Sequence, residues 1–119
     1  MSTLKVATIQ DTSGNNSSTP SEVNNGRAKA WCNFNGTGTV AIRDSYNISS
    51  LTDRGTGQYT LSFTTAMANS NYASVFGANA QTAGYAGVDT QNTGTLLCYG
   101  SVSGSFNDAS IVNVAIFGD

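Results

Sequence analysis

Acid–base and nucleophilic chemistry near neutral pH leans most often on histidine, and this chain contains none. What remains is carboxylate chemistry, with seven Asp and Glu against five Lys and Arg. Two carboxyl groups facing each other across a cleft can hydrolyse a glycosidic bond, one protonating the leaving oxygen and the other attacking or activating water. Asp44, Asp53, Asp89 and Asp108 are the candidates for such a pair by default. Asp44 and Asp53 flank one turn region and Asp89 falls in a long polar stretch, but no aromatic-rich insertion accompanies them to build a cleft. The competing reading gives Asp53 and Asp89 turn duties, their oxygens accepting backbone N–H bonds beside glycines. The pattern reads as non-enzymatic.

Metal chemistry fares no better. Residues 11–22 imitate a calcium loop, with Asp11, Ser13, Asn15 and Glu22 at its first, third, fifth and twelfth positions. The sixth position is Asn16 rather than the glycine that the sharp bend requires, Pro20 interrupts the loop, and no flanking helices are expected. A solvated arm is the better reading. Cys32 and Cys98 are far apart in sequence and belong to no CxxC or Cys/His cluster, so a zinc site is not expected. They read as two buried apolar thiols; a disulfide is the alternative that their separation allows. No cofactor and no metal are expected.

Sugar recognition needs an aromatic face for stacking and amide or carboxylate groups for hydroxyls. Tyr85, Asp89, Gln91 and Asn92 supply those types within a predicted loop over residues 79–94, and form the candidate receptor contact. Polar loops on β-sandwiches have this composition in any case. Trp31 and Tyr59 are assigned to cores. Sequons at Asn15, Asn16, Asn35 and Asn47 are expected by chance in a chain so rich in Asn, Ser and Thr.

The bulk properties narrow the partners. Charged residues make up 10% of the chain against about a quarter in ordinary soluble domains, so hydroxyls and amides carry its solubility. A net charge of −2 with scattered cations offers no patch to release phosphate counterions, which disfavours nucleic acid. No apolar run approaches the roughly 18 residues that span a bilayer, and the N-terminus lacks a basic region followed by an apolar core.

The elements that must position any site are short and β-rich. Residues 11–26 hold the only proline and almost no apolar side chains, so residues 1–28 read as a short N-terminal strand and an extended arm. Residues 29–119 read as one antiparallel β-sandwich of about six to eight short strands, an all-β single domain. Asn35–Gly36 is expected to form a two-residue turn that pairs Trp31 with Val40 and Cys32 with Thr39 and puts Trp31, Val40 and Ile42 on one face. Tyr59, Leu61 and Phe63 alternate with Thr60, Ser62 and Thr64 after a glycine-rich turn, a half-buried strand. Further strands are predicted over residues 72–77, 95–102 and 110–117.

The last of these, SIVNVAIF, is apolar on both faces: Val112, Val114 and Ile116 on one, Ile111, Ala115 and Phe117 on the other. One face fits the core of a sandwich. The second is expected either at an oligomer interface, through Ile111, Ala115 and Phe117, or beneath the chain's own loops.

The wording of residues 27–42, RAKAWCNFNGTGTVAI, with the preceding LKVATIQDTSGNNSSTP and the following RDSYNISSLTDRGTGQYTLSFTTAM, resembles a β-rich module of tail fibre-like virion proteins of marine phages, cyanophages included. The resemblance covers roughly residues 4 to 77. It implies a structural protein on the outside of a virus particle, a homotrimer without chemistry of its own, whose partners are copies of itself, other phage virion proteins and a host cell-surface glycan. It also implies that residues 28–36 are a structural signature rather than a binding site. Cys32 stands where the module leads one to expect a β-branched residue such as valine, and manufacture in a reducing host cytoplasm favours free thiols.

If Met1 is the native start, the chain is expected to lack the long shaft and attachment domain of a free-standing fibre. That raises a second reading, a small capsid decoration, knob or head-fibre protein whose N-terminal arm is the attachment element. A third is a monomeric carbohydrate-binding module carried on a larger enzyme.

Overall fold

The computed structural model describes residues 1–79, 84–102 and 104–118. Its core is a β-sandwich of two antiparallel sheets, as the alternating patterns require. In chain order the strands are β1 (Ala30–Asn35), β2 (Ala41–Tyr46), β3 (Ile48–Gly55), β4 (Gln58–Phe63), β5 (Ala73–Ala78), β6 (Gly84–Gln91), β7 (Thr95–Val102), β8 (Ser105–Phe106) and β9 (Val112–Phe117). The first sheet runs β2-β1-β9-β5 and the second β3-β4-β7-β6, with β8 attached to β7. First and last strands are therefore hydrogen-bonded neighbours at the centre of one sheet, with Cys32 opposite Val114 and Phe34 opposite Val112.

Period-2 alternation decides which side chains enter the core. The first sheet contributes Ala30, Cys32 and Phe34 from β1 and Val112, Val114 and Ile116 from β9; the second contributes Tyr59, Leu61, Phe63, Leu96 and Cys98. Met67, Tyr72 and Ala109 enter from segments that cross between the sheets. The Phe34 and Tyr59 rings meet edge to face across the layers, with centroids 5.1 Å apart, and Phe63 and Tyr72 do the same at 5.9 Å.

The chain changes sheets sharply between β2 and β3. Asn47 turns that corner at φ 57°, a left-handed conformation that asparagine tolerates better than most residues. Its side chain closes the corner, donating to the carbonyls of Lys29 and Thr65 and accepting from the Thr65 N–H at 2.7 Å.

Three expectations are corrected. The β1–β2 hairpin does not turn at Asn35–Gly36: Trp31 pairs with Tyr46, Cys32 with Ser45 and Asn35 with Ala41, across a loop of residues 36–40. Gly36 is buried and its N–H donates to the Ala109 carbonyl at 2.9 Å, which commits it to the core and moves the bend to Gly38, at φ 59°. Trp31 consequently points out of the sandwich, at 37% exposure, while Ile42 faces inward beside Phe34.

The arm is not extended throughout, because Pro20–Gly26 forms a helix, α1. Thr19 is its N-cap, Pro20 opens its first turn, and the reciprocal bonds Glu22 N–H to Thr19 Oγ1 and Thr19 N–H to Glu22 Oε2 make a capping box. The expected loop over residues 79–94 contains β6, which pairs with β7 from Gly84 opposite Val102 to Gln91 opposite Leu96.

Candidate functional site

Asp44, Asp53 and Asp108 each accept a backbone N–H, and Asp89 meets a neighbouring hydroxyl. Asp44 stands on the outer side of β2 and accepts the Ser45 N–H at 2.9 Å; Asp53 accepts the Gly55 N–H at 2.9 Å and shapes the β3–β4 turn. Asp89 is exposed, at the extra position of a β-bulge between Val88 and Thr90, with the Thr90 hydroxyl 3.4 Å from its Oδ2. Asp108 accepts the Gly57 N–H at 2.6 Å and the Tyr59 hydroxyl at 3.1 Å. Among the described residues no three His, Cys, Asp or Glu side chains gather in a position to hold a metal ion. The calcium-like loop has other uses for its acids: Asp11 Oδ1 accepts the N–H groups of Ser13 and Asn15, and Glu22 closes the capping box.

The residues proposed for receptor contact lie along β6 and at its end, not in a loop. Tyr85 is paired with Ser101 through the backbone, and Asp89 occupies the bulge. The Gln91 amide donates to the carbonyls of Ser70 and Tyr72, and Asn92 Oδ1 accepts from the N–H groups of Gly94 and Thr95. Gln91 and Asn92 thus build the β6–β7 turn and fasten it to the crossing before β5, while Asp89 is exposed and free of that turn.

Cys32 and Cys98 are both free and buried, one from each sheet. Burial pushes the Cys32 thiol up to about 11; burial and the neighbouring Cys32 push Cys98 up to about 12. Neither is a thiolate near neutral pH, so neither is a ready nucleophile. Burial, then the Asp108 carboxylate, raises the Tyr59 hydroxyl above the ordinary phenol range.

Among the described residues, the outer side of the first sheet carries an apolar row that is open to solvent. The ladder sets Tyr46 beside Trp31, Trp31 beside Ala115 and Ala115 beside Val75, one apolar row crossing all four strands. Tyr46, Trp31 and Val75 are exposed. The next row is Asp44, Asn33, Asn113 and Gly77, in which the Asn33 amide donates to Asn113 Oδ1. Small residues over β9 and larger ones on β1 and β5 leave a shallow open trough of about 540 Å³, with Trp31 and Asn33 on one side, Val75 on the other and Asn113 and Ala115 between them. Of the residues expected at an oligomer interface, Ala115 lies in this trough, Phe117 is half-buried beside it opposite Ala73, and Ile111 is exposed where the chain enters β9.

Sequence reasoning named Ala115 but missed Trp31, Tyr46 and Val75. The signal was alternation in β5, where Ser74, Phe76 and Ala78 turn inward and Val75 must therefore turn out. Trp31 was misassigned because the expected hairpin put it on one face with Val40 and Ile42, whereas a β-bulge between Asn33 and Phe34 sets Ile42 opposite inward-facing Phe34 and leaves Trp31 opposite the exposed Tyr46.

Comparison with protein-family models, curated proteins and solved structures finds no match.

Proposed function

We propose that this protein is a non-catalytic structural component of a bacteriophage particle, of tail fibre type, that assembles as a homotrimer and contributes to host adhesion. The observation that carries the reading is where the phage-like wording falls. It supplies Ala30 and Phe34 of β1, Tyr59, Leu61 and Phe63 of β4, and Met67, all buried in the core. The resembling stretch thus includes much of the frame of the sandwich, which supports a structural role. The exposed Asp89 of β6 is the group on which a glycan contact rests in this reading.

A second reading, a capsid decoration or head-fibre protein, is favoured by the N-terminal arm: residues 1–17 are all exposed, ready to engage another surface. Labelled antibody on purified particles tests both. Gold on tails is the expected result. Gold on heads selects the decoration reading, and particles that carry no label overturn the proposal.

A further inference from the structure

A 12.3 kDa chain folded as a self-sufficient monomer exposes about 6,100 Å² of surface. This one exposes 7149 Å². The excess, about 1,000 Å², is comparable to the roughly 800 Å² that each partner contributes to an ordinary stable interface. Its radius of gyration, 17.2 Å, likewise exceeds the value of about 13.5 Å expected for its length. The long axis is 51 Å, whereas the eight-residue strands β3, β6 and β7 span only about 27 Å each. In the same chain residues 1–17 are all exposed.

Two apolar sets are exposed among the described residues. One is the row Tyr46, Trp31, Ala115 and Val75 with its trough. The other is on the arm, where Leu4 is 85% exposed and Val6 and Ile9 are also exposed. The base of the arm is fixed: Ile9 and Ser18 exchange backbone hydrogen bonds, Asp11 organises the turn between them, and α1 follows under its capping box. A supported arm with apolar side chains held in water is built to land on something outside its own sandwich. Leu4 and Val6 alternate with Lys5 in β fashion, so they project together from an extended segment.

We propose that the arm of one copy docks through Leu4 and Val6 into the trough of a second copy, between Trp31 and Val75 and over Ala115. The contact joins unlike surfaces, so repetition with the right rotation closes a ring. It specifies how copies associate and rests on the structural-component reading only for the number of copies in the ring.

The test uses the full chain and two variants, Leu4→Glu/Val6→Glu on the arm and Val75→Glu on the face, all at exposed positions where the fold is spared. Native mass is measured by sedimentation. The wild type is expected as a multiple of 12.3 kDa and each variant as a 12.3 kDa monomer at micromolar concentration. Mixing the variants joins an intact arm to an intact face and is expected to restore a two-chain species. Trp31, the sole tryptophan, gives a second readout: its emission is blue-shifted in the wild type and red-shifted in either variant. A monomeric wild type, or an oligomer that survives both variants, overturns the contact. In the second case the structural-component reading stands, because particle labelling tests it separately.

Discussion

The Tyr59 hydroxyl, on the second sheet, donates across the sandwich to the Gly36 carbonyl of the β1–β2 loop at 2.9 Å. Asp108 shares the same proton at 3.1 Å and also accepts the Gly57 N–H, so one buried phenol ties together two hairpins and the segment leading into β9. A Cβ at Gly36 would overlap that hydroxyl, which is why glycine stands there.

Removing the tie leaves the Gly36 carbonyl without its hydroxyl donor. Tyr59→Phe is expected to lower stability by about 1–3 kcal/mol. Gly36→Ala, which forces the ring to move, is expected to cost about 3 kcal/mol. Urea denaturation of both variants checks this; an unchanged midpoint in Tyr59→Phe would contradict the role given to the hydroxyl.

Asn47 combines a left-handed backbone with three side-chain hydrogen bonds at the corner between sheets. Asn47→Ala loses both and is expected to cost about 2–3 kcal/mol; Asn47→Gly keeps the backbone freedom and is expected to cost about 1 kcal/mol less. Equal losses in thermal denaturation would show that the backbone conformation is unimportant there.

The two buried thiols make stability sensitive to alkali. Their folded values, about 11 for Cys32 and about 12 for Cys98, lie above the ordinary thiol value of about 8.5. For acids held neutral by folding, the contribution is complete below the unfolded value and is lost as pH rises towards the folded one. Stability is therefore expected to be level up to about pH 8.5 and to fall between there and about pH 12, and Cys98→Ala is expected to flatten the decline. Denaturation midpoints across that range decide it.

The arm responds at the opposite end of the scale. Asp11 is held below its ordinary value by the Asn15 N–H above all, and Glu22 by the N–H and then the hydroxyl of Thr19. Depressed carboxylates contribute above their unfolded value, about pH 4, and lose that contribution as pH falls through the folded one. Amide resonances of residues 11–26 are expected to shift below pH 4 while those of the sandwich hold; simultaneous loss of both would show that arm and body unfold as one unit.

The sequence made the sandwich legible because alternation is strong where one face is buried. Tyr59, Leu61 and Phe63 announced β4, and residues 95–102 coincide with β7. The hairpin register was not legible: Asn35–Gly36 has turn chemistry, but Gly36 is needed beneath Tyr59, a contact between residues on different sheets. β6 was hidden by its glycines and small residues, which gave it the composition of a loop. The α1 capping box was written in Thr19 and Glu22 yet passed over, because the surrounding residues carry too little apolar surface to suggest a helix. The outer row became visible only when the register placed Tyr46, Trp31, Ala115 and Val75 side by side.

The most direct test of the account is the native mass of the purified full chain, by light scattering or native mass spectrometry. A symmetric virion component requires self-association, and the predicted result is a trimer of three 12.3 kDa chains, about 37 kDa. A stable 12.3 kDa monomer at micromolar concentration would contradict it and turn attention to glycan binding by a single domain.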